Sequence, residues 1–180
     1  MTAKNSHARR VYAILDNESL WNAAQRCHDA LTAAGIPHAV IGGVAVCLHG
    51  YQRNTVDVDW LVRKDDIPAI RQTFVETGFT WNRSQFVLTG DRAGKGAEFL
   101  LPDPADKGIV TEIEGLPVLS LARLIETKIA CGQGNLRRTH KDLADVVELI
   151  AARKLNSSFA RHLHKSVRGT FRELVKRARS

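Results

Sequence analysis

The stretch IGGVAVCLHGYQRNTVDVDWLV, residues 41–62, begins with a glycine pair and ends with two closely spaced aspartates. Its first residues, together with the preceding HAV, predict a short buried strand that ends at Gly42 and Gly43. The residues VAVCLHG predict one or two helical turns that end at Gly50. The residues VDVDWLV predict the next strand. A strand, a glycine turn, a short helix and a second strand are therefore expected in succession.

Asp57 and Asp59 are two like charges that require compensation. Residues i and i+2 of a strand point to the same face, and like charges on one face repel. Water, a basic partner or a divalent cation can compensate them, and Mg²⁺ is commonly held by one or two carboxylates together with substrate phosphates. Upstream, Gly42 and Gly43 let backbone N–H groups approach a phosphate. Each feature alone also fits an ordinary turn or a solvated strand edge, but together they predict phosphoryl or nucleotidyl transfer.

The other segments predict an alternation of helices and strands. Helices are predicted in DNESLWNAAQRCHDALTAAG, KDDIPAIRQTFVETG, SLARLIETKIAC and HKDLADVVELIAARK. Strands are predicted in FTW, QFVLTG and AEFLL, and a hairpin-like edge is predicted in IVTEIEGLPV. This pattern predicts an α/β (α+β) fold, with a small mixed sheet flanked by helices and a helical C-terminal part. We expect a core with an N-terminal helix over residues 1–115 and a helical region with a basic tail over residues 116–180.

The charge of the chain is uneven. The net charge is +7, but residues 151–180 contain nine Lys or Arg against Glu173 alone, so this segment carries +8 and the remainder −1. A basic helix is predicted from about Ser157 to Arg177. This asymmetry favours a polyanionic partner for the tail, and the alternative is a solvated helix face on a soluble protein.

The cysteines and the hydropathy pattern indicate a cytoplasmic protein without a membrane partner. Cys27, Cys47 and Cys131 are far apart, and none has the spacing of a zinc site, which is typical of a reducing compartment. The sequence contains no apolar run long enough to span a bilayer and no signal peptide.

Several motifs resemble those of nucleotidyltransferases of the DNA polymerase beta type, and within them the bacterial AbiEii-type toxins and related stand-alone nucleotidyltransferases. The shared pattern is GG-x-A, His-Gly and R-x-T-x-D-x-D, followed by a lysine on a helix and by D-x-x-D. Here the pattern consists of Gly42, Gly43, Ala45, His49, Gly50, Arg53, Thr55, Asp57 and Asp59, then Lys128-Ile129-Ala130 and Lys141-Asp142-Leu143-Ala144-Asp145. The resemblance covers roughly residues 35–150.

The resemblance implies a fold and a reaction. The fold would be a small mixed sheet with the active site at one edge. The reaction would move a nucleoside monophosphate from an NTP to a hydroxyl group, with release of pyrophosphate. Asp57 and Asp59 would bind Mg²⁺ or Mn²⁺, and Gly42 and Gly43 would receive the triphosphate.

Five other motif positions have open alternatives. The resemblance implies that Lys128 meets phosphate charge, whereas the simpler possibility is a lysine that snorkels to solvent. Asp142 would lie near the acceptor or help to set the site, or it only completes a helix start. Arg53 clamps a phosphate or neutralises the aspartates. Thr55 orients an aspartate or simply suits a strand. His49 is expected to be a packed or capping histidine rather than a base.

The third carboxylate that is common in this superfamily is not evident in the motif. Gln85 stands where it is expected, and glutamine does not accept a proton at neutral pH and is a poorer metal ligand. Glu98, at the start of AEFLL, is the other candidate, and its alternative is an exposed residue on an edge strand.

The leading expectation is an Mg²⁺-dependent nucleotidyltransferase with an NTP and a hydroxyl acceptor as substrates. The basic tail favours RNA, especially a tRNA 3′ end, and a protein hydroxyl or a small molecule remains an alternative. The resemblance to toxins implies a toxin–antitoxin or phage-defence component with an antitoxin partner. Two further hypotheses are a catalytically degenerate protein that binds nucleotide or RNA, which Gln85 supports, and a nucleic-acid binder that acts through residues 157–179.

Overall fold

The structure, a computed structural model, describes residues 18–79, 102–134 and 136–178. Within these ranges the chain forms helices around a four-stranded mixed sheet, which confirms the predicted α+β class. The strands predicted in QFVLTG and AEFLL, most of FTW, and the candidates Gln85 and Glu98 lie outside the described residues.

In chain order, the helices are α1 (Glu18–Ala33), α2 (Gly42–Leu48), α3 (Ile67–Glu76), α4 (Leu121–Gly134), α5 (Leu136–Ala152) and α6 (Arg168–Arg177). The strands are β1 (His38–Ile41), β2 (Asp59–Val62), β3 (Val110–Ile113) and β4 (Leu116–Leu119). Short 3₁₀ helices occupy Lys64–Asp66, Ser157–His162 and Lys165–Val167. The order from α1 to α3 is the predicted one of helix, strand, short helix, strand and helix.

The strands of the sheet lie in the order β2-β1-β4-β3. β1 pairs with β2 in antiparallel and with β4 in parallel orientation, and β3 and β4 form an antiparallel hairpin. The hairpin was expected at an edge, but only β3 lies there. β4 lies between β1 and β3 in the sheet. Its Leu116, Val118 and Leu119 are accordingly buried, whereas β3 has no buried residue.

The β3–β4 hairpin closes through a two-residue turn. Ile113 pairs with Leu116, and the intervening Glu114 and Gly115 have φ angles of 56° and 77°. Positive φ at both central positions matches the twist of the flanking strands. The domain boundary predicted after residue 115 falls in this turn, so strands of one sheet lie on either side of it.

The strand predicted over VDVDWLV is shorter than expected, because β2 begins at Asp59 and Asp57 precedes it. The hydroxyl of Thr55 donates to the side chain of Asp57 at 3.1 Å and also contacts its carbonyl oxygen at 3.4 Å. Such local bonds stabilise a turn in competition with strand pairing. The prediction that both aspartates lie in one strand is therefore wrong.

Two predicted helix boundaries also differ from the structure. α5 begins at Leu136 rather than at His140. The basic segment predicted as one helix from about Ser157 to Arg177 consists of two 3₁₀ helices followed by α6. The side chains of Asn156 and His164 accept hydrogen bonds from the N–H groups of Ser158 and Ser166 and so start new turns within this segment.

The main hydrophobic core joins the sheet to α1, α2, α4, α5 and α6. Ile129 of α4, Leu149 of α5 and Phe171 of α6 are all fully buried in it. α4 and α5 approach each other closely at Gly132, where an added Cβ would lie 3.1 Å from Leu143 Cγ. None of the described helices is long and apolar enough to cross a membrane.

The basic C-terminal segment is fastened to α4 by a buried carboxylate. Glu126 is 1% exposed, and it accepts hydrogen bonds from the N–H group of His164 at 2.5 Å and from Arg123 at 2.7 Å. A second link runs from Gln133 to the hydroxyl of Thr170 at 2.7 Å. The segment therefore packs against the helix that carries Lys128.

Candidate functional site

The glycine turn between β1 and α2 lies directly against Asp59. Antiparallel pairing of β1 with β2 places Ile41 opposite Asp59. Gly42, the next residue, has a φ angle of +65°, and an added Cβ there would overlap the Asp59 carboxylate. Glycine is required at this position both for its backbone conformation and for the approach of the carboxylate.

The second glycine lies against the loop that precedes β2. An added Cβ at Gly43 would lie 2.5 Å from Thr55 Oγ1 and 2.9 Å from Arg53 Nη2. The thiol of Cys47 in α2 donates to the carbonyl oxygen of Arg53 at 3.2 Å and helps to hold this loop. The loop can press against α2 only because residue 43 has no side chain.

One aspartate lies against the glycine turn, and the other is linked to it through Thr55. Asp59 is half-buried and touches Gly42. Asp57 is exposed, and its carboxylate accepts a hydrogen bond from buried Thr55, which itself lies against Gly43. The structure supports the alternative in which Thr55 orients an aspartate, since Thr55 is not part of a strand.

Behind the turn lies a buried ionic network of Arg53, Lys128, Asp142 and Asp145. Lys128 Nζ lies 2.8 Å from Asp142 Oδ1 and 2.7 Å from Asp145 Oδ2. Arg53 Nε lies 2.9 Å from Asp145 Oδ1. Asp142 and Asp145 are three residues apart and therefore share one face of α5. Two cations face two anions, so the network has no net charge.

The network decides between alternatives for Lys128 and Asp142 and leaves the alternatives for Arg53 open. Lys128 is 6% exposed and ion-paired, so it does not snorkel to solvent. Asp142 is 1% exposed in the interior of α5, so the alternative in which it completes a helix start is wrong. Arg53 contacts Asp145, and this contact is compatible with the phosphate role because its side chain keeps 14% of its surface exposed.

Asp145 was not among the predicted site residues. It lies at the centre of the network, within ion-pair distance of both Arg53 and Lys128. Its spacing of three from Asp142 on a helix indicated a shared face. The sequence could not indicate the contact with Arg53, because the two residues are 92 positions apart.

His49 is a packed histidine, as expected. It is 4% exposed, and its Nε2 bonds the carbonyl oxygen of Leu119 at 2.8 Å, which requires the tautomer with a proton on Nε2. Burial lowers the pKa of His49 below its usual value, the bond to Leu119 opposes that shift, and the charge of Arg153 adds to it. The histidine is thus kept neutral and joins the end of α2 to β4.

The two aspartates fit a hard divalent cation, although they are few as a set of ligands. Asp57 and Asp59 supply carboxylate oxygens, which Mg²⁺ and Mn²⁺ accept as ligands, and substrate phosphates usually complete the coordination of Mg²⁺. In residues 18–79, 102–134 and 136–178, no group of three His, Cys, Asp or Glu side chains is arranged to hold a metal ion. An ion bound in this part of the chain would therefore have at most two such side chains as ligands at one place.

Alanine at position 42 is expected to cost more than alanine at position 35. Gly35 and Gly42 have nearly equal φ angles of 67° and 65°, but an added Cβ at Gly35 meets nothing within 4 Å. Both substitutions should cost about 1–2 kcal/mol of backbone strain. Gly42→Ala should cost about 1–3 kcal/mol more from the overlap with Asp59. Urea denaturation of both variants measures the difference, and equal losses would contradict the close approach of Asp59.

Comparison of the chain with protein-family models, with curated proteins and with solved structures gave no match. The functional assignment is therefore made from the motifs and from the contacts of the site.

Proposed function

We propose that this protein is an Mg²⁺-dependent nucleotidyltransferase that moves a nucleoside monophosphate from an NTP to a hydroxyl acceptor. The observation that carries the proposal is the glycine turn, where Gly42 lies against the Asp59 carboxylate and Gly43 lies against Thr55, whose hydroxyl bonds Asp57. This arrangement brings a stretch of backbone without side chains next to one carboxylate and next to the threonine that holds the second. Metal and phosphate chemistry require both features at one place.

The roles of the ligand-facing residues follow from their positions. Asp57 and Asp59 would hold Mg²⁺ or Mn²⁺, and the ion would supply positive charge to the triphosphate. The backbone of Gly42 and Gly43 would receive the triphosphate, since no Cβ blocks its approach. Arg53, whose Nη2 lies against Gly43, would bind a phosphate oxygen there.

The chemistry of the two aspartates supports a divalent ion. Asp57 and Asp59 supply carboxylate oxygens, the ligand type that a hard divalent cation prefers. Arg53 and Lys128 form ion pairs with Asp142 and Asp145 in the buried network. The burial of Asp142 and Lys128 favours a supporting role for both, because direct contact of Lys128 with phosphate would require its Nζ to leave two carboxylates.

For the acceptor we propose RNA, with a tRNA 3′ end as the leading candidate. The support is a set of exposed basic residues after α5, namely Arg153, Lys154, Arg161, Lys165, Arg172, Lys176 and Arg177. Exposed lysine and arginine side chains are suited to contact phosphates. A toxin role with an antitoxin partner, and Glu98 as a third carboxylate, are further parts of the proposal that rest on the sequence motifs.

A label-transfer assay tests the proposed function. Purified protein is incubated with each α-³²P-labelled NTP, with Mg²⁺ or Mn²⁺, and with total tRNA, a protein extract or an aminoglycoside as acceptor. We expect label to enter the tRNA fraction. Binding of NTP without transfer to any acceptor would favour the catalytically degenerate alternative. A protein that neither binds NTP nor transfers label would contradict both.

A further inference from the structure

The position of Asp145 points to a role that none of the motifs assigns. Asp145 is 2% exposed, and both of its carboxylate oxygens are engaged. Oδ1 contacts Arg53 Nε at 2.9 Å, and Oδ2 contacts Arg53 Nη2 at 3.3 Å and Lys128 Nζ at 2.7 Å. A negative, buried and fully engaged carboxylate does not bind a phosphate itself. It acts on the side chains that it holds.

Asp145 contacts two adjacent nitrogens of Arg53: Nη2 donates a hydrogen bond to Oδ2, and Nε lies within ion-pair distance of Oδ1. The other terminal nitrogen, Nη1, donates to the carbonyl oxygen of Asn54 at 3.1 Å, and together these contacts restrict the orientation of the guanidinium group. Each terminal nitrogen of a guanidinium has two N–H donors, so one donor remains on Nη1 and one on Nη2. One of these nitrogens, Nη2, borders the backbone of Gly43.

We propose that Asp145 is a positioning residue that fixes the guanidinium of Arg53 at the glycine turn. The remaining N–H donors on Nη1 and Nη2 of Arg53 then bind an anionic oxygen of the triphosphate. This inference rests on the proposed function, because it assumes that a triphosphate binds at Gly42 and Gly43. Lys128 shares the same carboxylate and keeps Asp145 in place from the side of α4.

The proposal predicts that Asp145 and Arg53 act as one unit. The probe is inorganic tripolyphosphate, added with Mg²⁺, because tripolyphosphate has the phosphate chain that all NTPs share. Titration calorimetry measures the dissociation constant of tripolyphosphate for each variant, at a temperature well below the melting temperature of that variant. We expect Asp145→Asn and Arg53→Lys each to weaken tripolyphosphate binding about tenfold. The first variant loses the charge that holds the guanidinium group in place, and the second loses the guanidinium group itself. The double variant should bind within about twofold of the weaker single variant.

Glu126→Gln is the matched control for a purely structural effect. Glu126 is also a buried carboxylate that holds an arginine and a backbone N–H group, but from α4 it contacts the C-terminal segment instead of Arg53. We expect this variant to melt at a lower temperature and to bind tripolyphosphate as the wild type does. If Asp145→Asn does not fold, Asp145→Glu replaces it, since this change keeps the charge and displaces the carboxylate by one methylene group.

Three results would overturn the role of Asp145. They are unchanged binding by the folded Asp145 variant, additive losses of about a hundredfold in the double variant, and equal weakening by Glu126→Gln. If the wild type still transfers label in any of these cases, the proposed function stands and only this inference fails. If the wild type neither binds tripolyphosphate nor transfers label, both fail together.

Discussion

Asp59→Asn is expected to abolish nucleotidyl transfer, with a loss on the order of a thousandfold, while the fold is retained. Asparagine has nearly the same shape, and the pairing of residue 59 with Ile41 uses the backbone, so β2 should form as before. The neutral amide cannot replace the charge that a divalent cation requires beside Gly42. The loss should therefore appear in the rate of transfer and in the affinity for Mn²⁺, not in the melting temperature.

The measurement for Asp59→Asn is single-turnover transfer of label from NTP, with circular dichroism to verify the fold. Asp103→Asn is the matched control, because it removes the same charge from a carboxylate that pairs with Arg63 in an exposed position. The control should transfer label at the wild-type rate. Unchanged transfer by Asp59→Asn would place the metal site elsewhere in the protein.

Lys128→Met is expected to lower the free energy of unfolding by about 3–5 kcal/mol. Methionine keeps the apolar stem of the side chain and removes the ammonium group that lies within ion-pair distance of two carboxylates. Asp142 and Asp145, which are 1% and 2% exposed, would then both lose the ammonium group with which they pair. Buried charge without its partner is the reason for the large loss.

Chemical denaturation measures this effect, with Lys176→Met as the control. The pair between Lys176 and Glu173 has a similar distance of 2.9 Å, but its side chains are 71% and 61% exposed. Its loss should cost less than about 1 kcal/mol, because water screens exposed ion pairs. Adding Asp142→Asn to Lys128→Met should restore part of the stability, because it neutralises one of the two buried carboxylates that lost the ammonium group. A double variant less stable than Lys128→Met would show that repulsion between buried carboxylates is not the cause.

Much of the local structure could be predicted because its causes lie within short segments. The glycine at position 35 follows the end of α1, and that at position 78 follows α3; both have the positive φ angles that end a helix. The buried strand β1 followed from a short apolar run before the glycine pair. The turn residues Glu114 and Gly115 separated two strands that pair with each other.

The errors arose from local side-chain hydrogen bonds that the hydrophobic pattern does not show and from the pairing of distant strands. The alternation in VDVDWLV favoured one long strand, but the hydrogen bond from Thr55 to Asp57 forms a turn before β2. β4 was expected at an edge, but it pairs in parallel with β1, which requires a crossover that local pattern does not specify. The basic segment has helical composition, yet the side chains of Asn156 and His164 interrupt it.

The amino-acid sequence alone established the types of chemical group available here, namely two adjacent glycines, two closely spaced carboxylates and a distant lysine and aspartate on helices. These are properties of short segments, and residue type and spacing determine them. Three-dimensional packing established which of these groups meet. It holds Arg53 through Asp145, encloses Lys128 between two aspartates, and leaves Asp59 against Gly42 and Asp57 bonded to Thr55. The physical reason is that burying a charge is favourable only beside an opposite charge, and folding of the whole chain supplies that partner.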